Sequence, residues 1–313
     1  MEQNPPRPLI PPLLAIPFGI LAVSTASIFI RFIQVAAVSS LVIAAWRLTL
    51  ASLILAPIAF LRHRDELRSF TRREILLAML SGVFLAVHFA TWITSLEYTT
   101  VASSVVIVST SPLWVALLAP LTIKEPISRL ILIGMGLALV GGCIVGLSDS
   151  CVLVDGTLRC PPFADFVGGR AFLGDILALV GALTAGGYFL IGRRLREKFS
   201  LIPYVFMVYG MAAVILILIM LAAGQSPFGH PPQVYPWLLL LALVPQLLGH
   251  STFNWALRYL SAAYVSITLL GEPIGSAVLA YFILDEAPSG LMGFGAILIL
   301  IGIFIASSNQ KTK

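Results

Sequence analysis

Residues 96–128 read LEYTTVASSVVIVSTSPLWVALLAPLTIKEPIS. The pattern returns without gaps at residues 257–289, which read LRYLSAAYVSITLLGEPIGSAVLAYFILDEAPS. Nine of the 33 aligned positions are identical, namely Leu96/Leu257, Tyr98/Tyr259, Ala102/Ala263, Pro112/Pro273, Ala116/Ala277, Leu118/Leu279, Ala119/Ala280, Glu125/Glu286 and Ser128/Ser289. Unrelated apolar segments match at Leu and Ala but rarely also at Pro, Tyr and Glu. The chain therefore contains an internal duplication.

The composition around this duplication is that of a membrane protein. Of 313 residues, 59% are hydrophobic and only 11% are charged, against roughly 25% charged in soluble domains. The apolar residues occur in blocks of about twenty, the length that a helix needs to cross a bilayer. These features exclude a disordered chain, a disulfide-rich secreted module and a nucleic-acid-binding protein.

Ten helical spans are predicted, because the bilayer core offers no water to backbone groups. They cover residues 10–30, 38–61, 74–95, 100–121, 127–147, 173–192, 202–223, 236–257, 262–283 and 289–306. The duplicated unit is five spans long, and an odd number of crossings inserts the second copy upside down. Inverted repeats of this kind are typical of secondary transporters, whose substrate site lies near the midplane between the halves. The first span also loosely resembles a cleavable signal peptide, but its apolar run continues through Phe32.

The basic residues predict the orientation. With a cytoplasmic N-terminus, fifteen of the nineteen Lys and Arg residues fall on the inner side and only Arg31, Arg159 and Arg170 fall outside. This bias follows the positive-inside rule. We therefore expect a multi-pass protein of the plasma (inner) membrane with both termini cytoplasmic.

The two quoted segments resemble the ends of the paired domains in EamA-type transporters of the drug/metabolite transporter superfamily. The resemblance lies in a Pro followed by an apolar run that a Glu closes, at Pro112 to Glu125 and at Pro273 to Glu286. It implies an all-α integral membrane protein of ten transmembrane helices, arranged as two inverted five-helix repeats around a central cavity. Residues 1–147 would form the first EamA repeat, 148–172 an extracytoplasmic connecting loop and 173–313 the second repeat. Members export or import amino acids, other metabolites and toxic cations.

The candidate substrate-binding residues are polar or aromatic side chains at membrane depth. An ionisable residue there is costly and usually faces the bundle interior or a wet cavity. Arg47 lies about 14 Å into its span, at 1.5 Å per residue, and Glu272 lies beside Pro273 within another span. The full set is Arg47, Glu272, His88, Trp92, His250, Asn254, Trp46, Trp114 and Tyr264, with Trp255 as a further wall residue.

These residues have structural interpretations as well. Arg47 and Glu272 line the cavity on the functional interpretation, and form a salt bridge that holds the halves together on the structural one. His88 and His250 are predicted near the two mouths of the cavity, or are interhelical hydrogen-bonding groups. Burial favours the neutral form of Glu272, which makes it a candidate carrier of a coupling proton. The single tryptophans also fit simple packing.

The remaining sequence features limit the function. Cys151 and Cys160 lie in the outward loop and predict a disulfide in an oxidising compartment. The sequence has no P-loop, HExxH or CxxC motif, so neither an enzyme nor a metal or cofactor site is expected.

We predict a secondary transporter, an exporter of small amphipathic metabolites with amino acids as the first choice, acting as a monomer or homodimer with no nucleic-acid partner. The alternatives are an uncoupled channel or facilitator, an exporter of organic cations and, least favoured, an integral-membrane enzyme.

Overall fold

The computed structural model describes residues 11–122, 129–148, 152–154, 157–160 and 169–308. Helices of the first half are α1 (Pro12–Ser24), α2 (Ala26–Val35), α3 (Ser40–Arg62), α4 (Arg64–Arg68), α5 (Arg72–Ser95), α6 (Val101–Val108), α7 (Ser111–Thr122) and α8 (Arg129–Ser148). A short antiparallel hairpin, β1 (Val152–Val154) and β2 (Thr157–Arg159), lies in the connecting loop. It is a small exception to the predicted all-α architecture.

Helices of the second half are α9 (Arg170–Arg196), α10 (Leu201–Ala222), α11 (Val234–Leu241), α12 (Ser251–Ala256), α13 (Ala262–Thr268), α14 (Gly271–Leu284) and α15 (Gly290–Ser307). A π-helical stretch, Ala242–His250, joins α11 to α12. It contains Pro245, which lacks the backbone N–H that a regular α-helix uses. π-Helical turns of this kind occur often at functional sites.

Seven helical segments of the described chain are long and apolar enough to cross a membrane. They are Leu14–Val35, Ser40–Arg62, Arg72–Ser95, Ser103–Thr122, Arg170–Arg196, Leu201–Ala222 and Val234–Ala256. Shorter apolar helices, Leu132–Ile144, Gly271–Leu284 and Gly290–Gly302, lie where the fifth, ninth and tenth spans are predicted. The protein is thus helical and rich in membrane-spanning segments, while the count of ten spans stays a prediction.

The predicted fourth and ninth spans are each broken into two helices. The first break is at Ser109 and Thr110, and the second is at Leu269 and Leu270. Pro112 and Pro273 lie in the first turn after each break, where a helix needs no N–H from the proline. The aligned prolines therefore mark helix starts rather than bends within one continuous span.

Helices α8 and α15 pack closely through reciprocal glycines. A Cβ atom at Gly141 would lie 2.6 Å from the carbonyl oxygen of Gly295, and one at Gly302 would collide with the carbonyl oxygen of Gly134. Gly302 and Gly295 each lie 161 positions after Gly141 and Gly134, the register of the duplicated segments. The contact pairs run in opposite directions along the two helices, so the helices are antiparallel.

A second pair of close glycine contacts between the two halves also follows the duplication. In α9, Gly181 approaches Thr91 and Trp92 of α5. In α1, Gly19 approaches Thr252 and Phe253, which lie 161 positions after Thr91 and Trp92. Each half thus packs its first predicted span against the third predicted span of the other half.

A loop contact fixes the start of α10. The Glu66 carboxylate accepts hydrogen bonds from the backbone N and the Oγ of Ser200, and His63 Nδ1 lies 3.4 Å from it. Partial burial opposes ionisation of Glu66, but these hydrogen bonds outweigh it and lower the pKa of the carboxyl below its usual value. A carboxylate with a lowered pKa stabilises the fold above its unfolded pKa and ceases to do so as the pH falls through the folded value.

We expect Glu66→Gln to lower the melting temperature of the detergent-solubilised protein at neutral pH. The difference from wild type should shrink as the pH falls below the ordinary glutamate pKa of about 4.3, because wild-type Glu66 then becomes protonated. Melting curves over this pH range measure the effect. Asp65→Asn, at the exposed neighbouring position, is the control and should show no such pH-dependent difference. A constant difference at every pH would contradict the prediction.

Candidate functional site

Arg47 of α3 is completely buried. Its Nε donates a hydrogen bond of 2.7 Å to Oε1 of Gln246 in the π-helical stretch. Its guanidinium carbon lies 4.1 Å from the ring centroid of Phe89, within cation–π range. Nη1 and Nη2 are buried without a hydrogen-bond partner in the protein. The guanidinium fork therefore has two donors free for an anionic group.

The two histidines lie beside Arg47 and close to each other. His88 Nδ1 is 2.9 Å from the carbonyl oxygen of Gly181, and the ring centroids of His88 and His250 are 6.4 Å apart. His250 also packs edge-on against Phe89 at 5.3 Å, and its Nδ1 is buried without a partner. The prediction that these histidines lie near two separate mouths is therefore wrong. The two histidines occupy nearly equivalent positions of the duplication, and the packing of the two halves brings them together.

A buried amide and two tyrosines continue this polar region. Asn254 Nδ2 donates to the hydroxyl of Tyr188 and, at 2.8 Å, to the carbonyl oxygen of His250. The Tyr209 hydroxyl lies 3.4 Å from Asn254 Nδ2 and 3.3 Å from Ser251 Oγ. Oδ1 of Asn254 is buried without a partner. We call Arg47, His88, Phe89, Trp92, Gln246, His250 and Asn254 the Arg47 cluster.

Sequence reasoning missed Phe89, whose ring lies against the Arg47 guanidinium, and three polar residues of the same region. The polar residues are Gln246, which binds Arg47, and the buried Tyr188 and Tyr209, which contact Asn254. Gln246 could have been found, because it is an amide within an apolar run and follows Pro245. Tyrosines in apolar spans give no such signal, since most of them pack as hydrophobic residues with a satisfied hydroxyl.

Glu272 lies in the first turn of α14, after the helix break. It interacts electrostatically with Arg47, but these two described side chains form no direct ion pair; the ion pairs of the described chain involve other residues. The carbonyl oxygen of Glu272 accepts a hydrogen bond of 3.4 Å from Ser24 Oγ of α1. The salt bridge considered from the sequence is thus not formed here, and Gln246 is the direct partner of Arg47.

The aromatic candidates divide into two groups. Trp92 stacks on His88 with centroids 5.9 Å apart, and Nε1 of both Trp92 and Trp114 is buried without a partner. Trp46 instead donates a hydrogen bond of 2.8 Å to Pro227 in the loop before α11. Trp255 packs edge-on against Tyr259. The structure therefore brings Trp92 to Arg47 and directs Trp46 to a loop; the side chain of Tyr264 lies outside the described residues.

The described cysteines are Cys143 and Cys160. Cys143 is a free thiol, and Cys160 is disulfide-bonded. Cys151, the predicted partner, lies outside the described residues, so the pairing stays a prediction. Glu125 likewise lies outside them. In the part of the chain that is described, no three His, Cys, Asp or Glu side chains are grouped as metal ligands.

Two cavities of the described chain open near Arg31. One of about 440 Å³ is lined by residues that include Arg31, Tyr98 and Glu286, and one of about 450 Å³ by residues that include Arg31 and Gln34. Their lining residues include no member of the Arg47 cluster. At the Arg47 cluster the structure shows buried polar atoms without protein partners, and the central cavity stays a prediction.

Comparison with known proteins identifies the class to which this helical fold and its buried polar centre belong. The sequence model of the EamA-like transporter family matches twice, at residues 13–147 and 172–308. The chain therefore belongs to the EamA-like transporter family, whose members are transporters rather than enzymes. The two matches agree with the duplication inferred from the sequence.

Individual relatives support the same class. The chain is 24% identical over 232 residues to an "Uncharacterized transporter" of Archaeoglobus fulgidus, covering 74% of each chain. It is 22% identical over 270 residues to "Uncharacterized transporter YyaM" of Bacillus subtilis, covering 84% of this chain and 83% of the relative. A solved structure titled "Crystal structure of protein" has a similar fold, with a TM-score of 0.64 at 16% identity and coverage of 95% of this chain and 96% of that one.

Proposed function

We propose that this multi-pass transporter is a secondary carrier with ten spans in two inverted five-helix repeats. The antiparallel packing of α8 on α15 supports the inversion, because these helices occupy equivalent places in the two repeats. Alternating access would then expose the Arg47 cluster to one side at a time. The distribution of basic residues supports a plasma-membrane protein with both termini cytoplasmic.

The substrate is a small zwitterion of the amino-acid class, and the carrier exports it. The observation that carries this proposal is the buried guanidinium of Arg47, whose Nη1 and Nη2 have no partner in the protein. A planar fork of two donors matches the two oxygens of a carboxylate. Glu272, within electrostatic range of Arg47, supplies the charge that a substrate ammonium needs. Phe89 and Trp92 provide apolar walls next to this pair of charges.

The test is a thermal-shift screen with ligands that differ in one group. For each amino acid, the set contains the zwitterion, its amide, the amine that lacks the carboxylate and the acid that lacks the ammonium. A ligand that binds only the folded protein raises the melting temperature. We expect the zwitterion alone to do so, with counterflow in proteoliposomes to follow. Stabilisation by the amine and not by the zwitterion would instead indicate an exporter of organic cations.

Proton coupling is the second part of this proposal. Glu272→Gln removes the titratable carboxyl while keeping its shape, so proteoliposomes should lose accumulation of substrate driven by a proton gradient. Counterflow, which needs no driving force, should persist at a reduced rate, because the variant keeps the Arg47 donors for the substrate carboxylate but lacks the charge for its ammonium. Asp285→Asn, at the exposed end of the same helix, is the control and should behave as wild type. Undiminished accumulation by Glu272→Gln would remove Glu272 from the coupling role, whereas absence of proton-driven accumulation in the wild-type protein would favour uncoupled facilitated transport.

A further inference from the structure

Arg31 closes the C-terminal end of α5. Its Nη1 donates to the carbonyl oxygen of Leu96, and its Nη2 donates to that of Thr99 at 2.8 Å. The last carbonyl groups of a helix have no partner within the helix and carry partial negative charge. A guanidinium group therefore stabilises this end, and it ties α2 to α5 within the first half.

Glu286 connects the second half of the chain to Arg31 in the same region. It follows Asp285, whose left-handed backbone (φ 56°) ends α14. Its Oε1 lies 3.4 Å from Nη2 of Arg31, and its Oε2 accepts a hydrogen bond of 2.9 Å from the backbone N of Val101. Val101 is the first residue of α6. One carboxylate thus connects α14 of the second half to α2 and α6 of the first.

The Arg31–Glu286 pair lies beside open space. Arg31 lines both cavities described above, and Glu286 lines the first of them. The side chains of the pair are 23% and 26% exposed, so water reaches them. Leu96, to which Arg31 is bonded, lies four residues beyond Trp92, about 6 Å along the helix axis at 1.5 Å per residue. The pair therefore lies about one helical turn from the cluster.

The duplication places a related arginine in the second half. Arg193 of α9 donates to the carbonyl oxygens of Leu257 at 2.7 Å and of Arg258 at 3.5 Å. Leu257 is the repeat counterpart of Leu96. The ion pair of Arg193 with Glu197, at 3.3 Å, stays within its own helix, whereas that of Arg31 joins the two halves. The two arginines thus cap equivalent helices, and Arg31, unlike Arg193, is also paired with a carboxylate of the other half.

We propose that Arg31 and Glu286 form the gate of the transport pathway at this end of the molecule, an inference that rests on the proposed alternating-access cycle. The gate is closed in this structure. It opens when the ion pair breaks and the end of α14 leaves α5 and α6, which joins the two cavities to the Arg47 cluster. A partly exposed ion pair suits this role, because its net contribution to stability is small and it can break in every cycle.

The experiment measures the separation of the halves directly. Spin labels are attached at Val35→Cys and Ser289→Cys, exposed positions in the first and second halves, in the full chain with Cys143→Ala. Double electron–electron resonance in nanodiscs then gives the distance distribution. We expect Glu286→Gln and Arg31→Gln each to increase the population at longer distance by about fivefold or more, a typical size for conformational coupling. Gln at position 286 still accepts from Val101 but lacks the charge.

Glu97→Gln is the matched control, because Glu97 lies at the same end but accepts hydrogen bonds from Ser40 of its own half. Its distance distribution should equal that of wild type. Unchanged distributions in both Glu286→Gln and Arg31→Gln would overturn the gate, as would an equal change in Glu97→Gln.

The distance measurement needs no ligand, so it tests the gate even if no zwitterion binds. Retained zwitterion-induced thermal stabilisation in Glu286→Gln, together with the distance change, supports a gate distinct from the substrate site. Loss of that stabilisation in Glu286→Gln would overturn this assignment and make Glu286 part of the binding site. Failure of every zwitterion to stabilise the wild-type protein contradicts the proposed substrate and leaves the gate result intact.

Discussion

Arg47→Ala is expected to reduce zwitterion counterflow in proteoliposomes by about 30-fold or more. Truncating one partner of a buried, hydrogen-bonded charge pair costs roughly 2–5 kcal/mol, and each 1.4 kcal/mol is a factor of ten. The substitution removes the two free donors proposed to bind the substrate carboxylate and leaves Oε1 of Gln246 without its donor. Transport should therefore fall much more than the amount of folded protein.

Arg62→Ala is the matched control for this variant. Arg62 ends the same helix, α3, but is exposed, and its substitution should leave counterflow unchanged. The melting temperature of each variant without ligand shows whether a loss of transport comes from weaker substrate binding or from weaker folding. If Arg47→Ala lowered the melting temperature yet transported at the wild-type rate per folded molecule, Arg47 would be a structural residue and the carboxylate-binding proposal would be wrong.

Gly141→Val is expected to destabilise the protein by about 1–3 kcal/mol or more, the cost of overpacking a close-packed contact. A Cβ atom at Gly141 would lie 2.6 Å from the carbonyl oxygen of Gly295 and 2.9 Å from the backbone N of Ile299. These are backbone atoms, which cannot rotate away as a side chain can. Helices α8 and α15 would have to separate, so the melting temperature in detergent should fall clearly.

Gly142→Val controls for the effect of valine on the helix itself. Gly142 is the next residue of α8, and a Cβ atom there would meet nothing within 4 Å. Its substitution should cost no more than a small change in helix propensity. Equal melting temperatures for the two variants would show that the close contact of α8 with α15 does not limit stability.

Several features of the fold could be predicted from local sequence. Blocks of apolar residues predict helices at membrane length, and the aligned Pro112 and Pro273 predict a shared local feature in both halves. The structure shows this feature as a helix break at Ser109–Thr110 and at Leu269–Leu270. The break itself was not predicted, because a proline is compatible both with the first turn of a helix and with a kink inside one.

The site was predicted in part, for a physical reason. Arg47 could be identified alone, since a charge in an apolar span needs a partner wherever the span packs. Its direct partner Gln246 lies 199 residues away in sequence, and the choice between Gln246 and Glu272 depends on how the helices cross. For the same reason Trp46 contacts Pro227, although Arg47 is its neighbour in sequence.

The sequence by itself determined the class of protein, the duplication and the short set of costly polar residues, because hydrophobicity and register are properties of the chain. Only the tertiary structure decided that His88 and His250 meet, that Nη1 and Nη2 of Arg47 remain without protein partners, and that Arg31 pairs with Glu286. Such contacts depend on the rotation and depth of helices packed from distant parts of the chain, and no local pattern encodes those quantities.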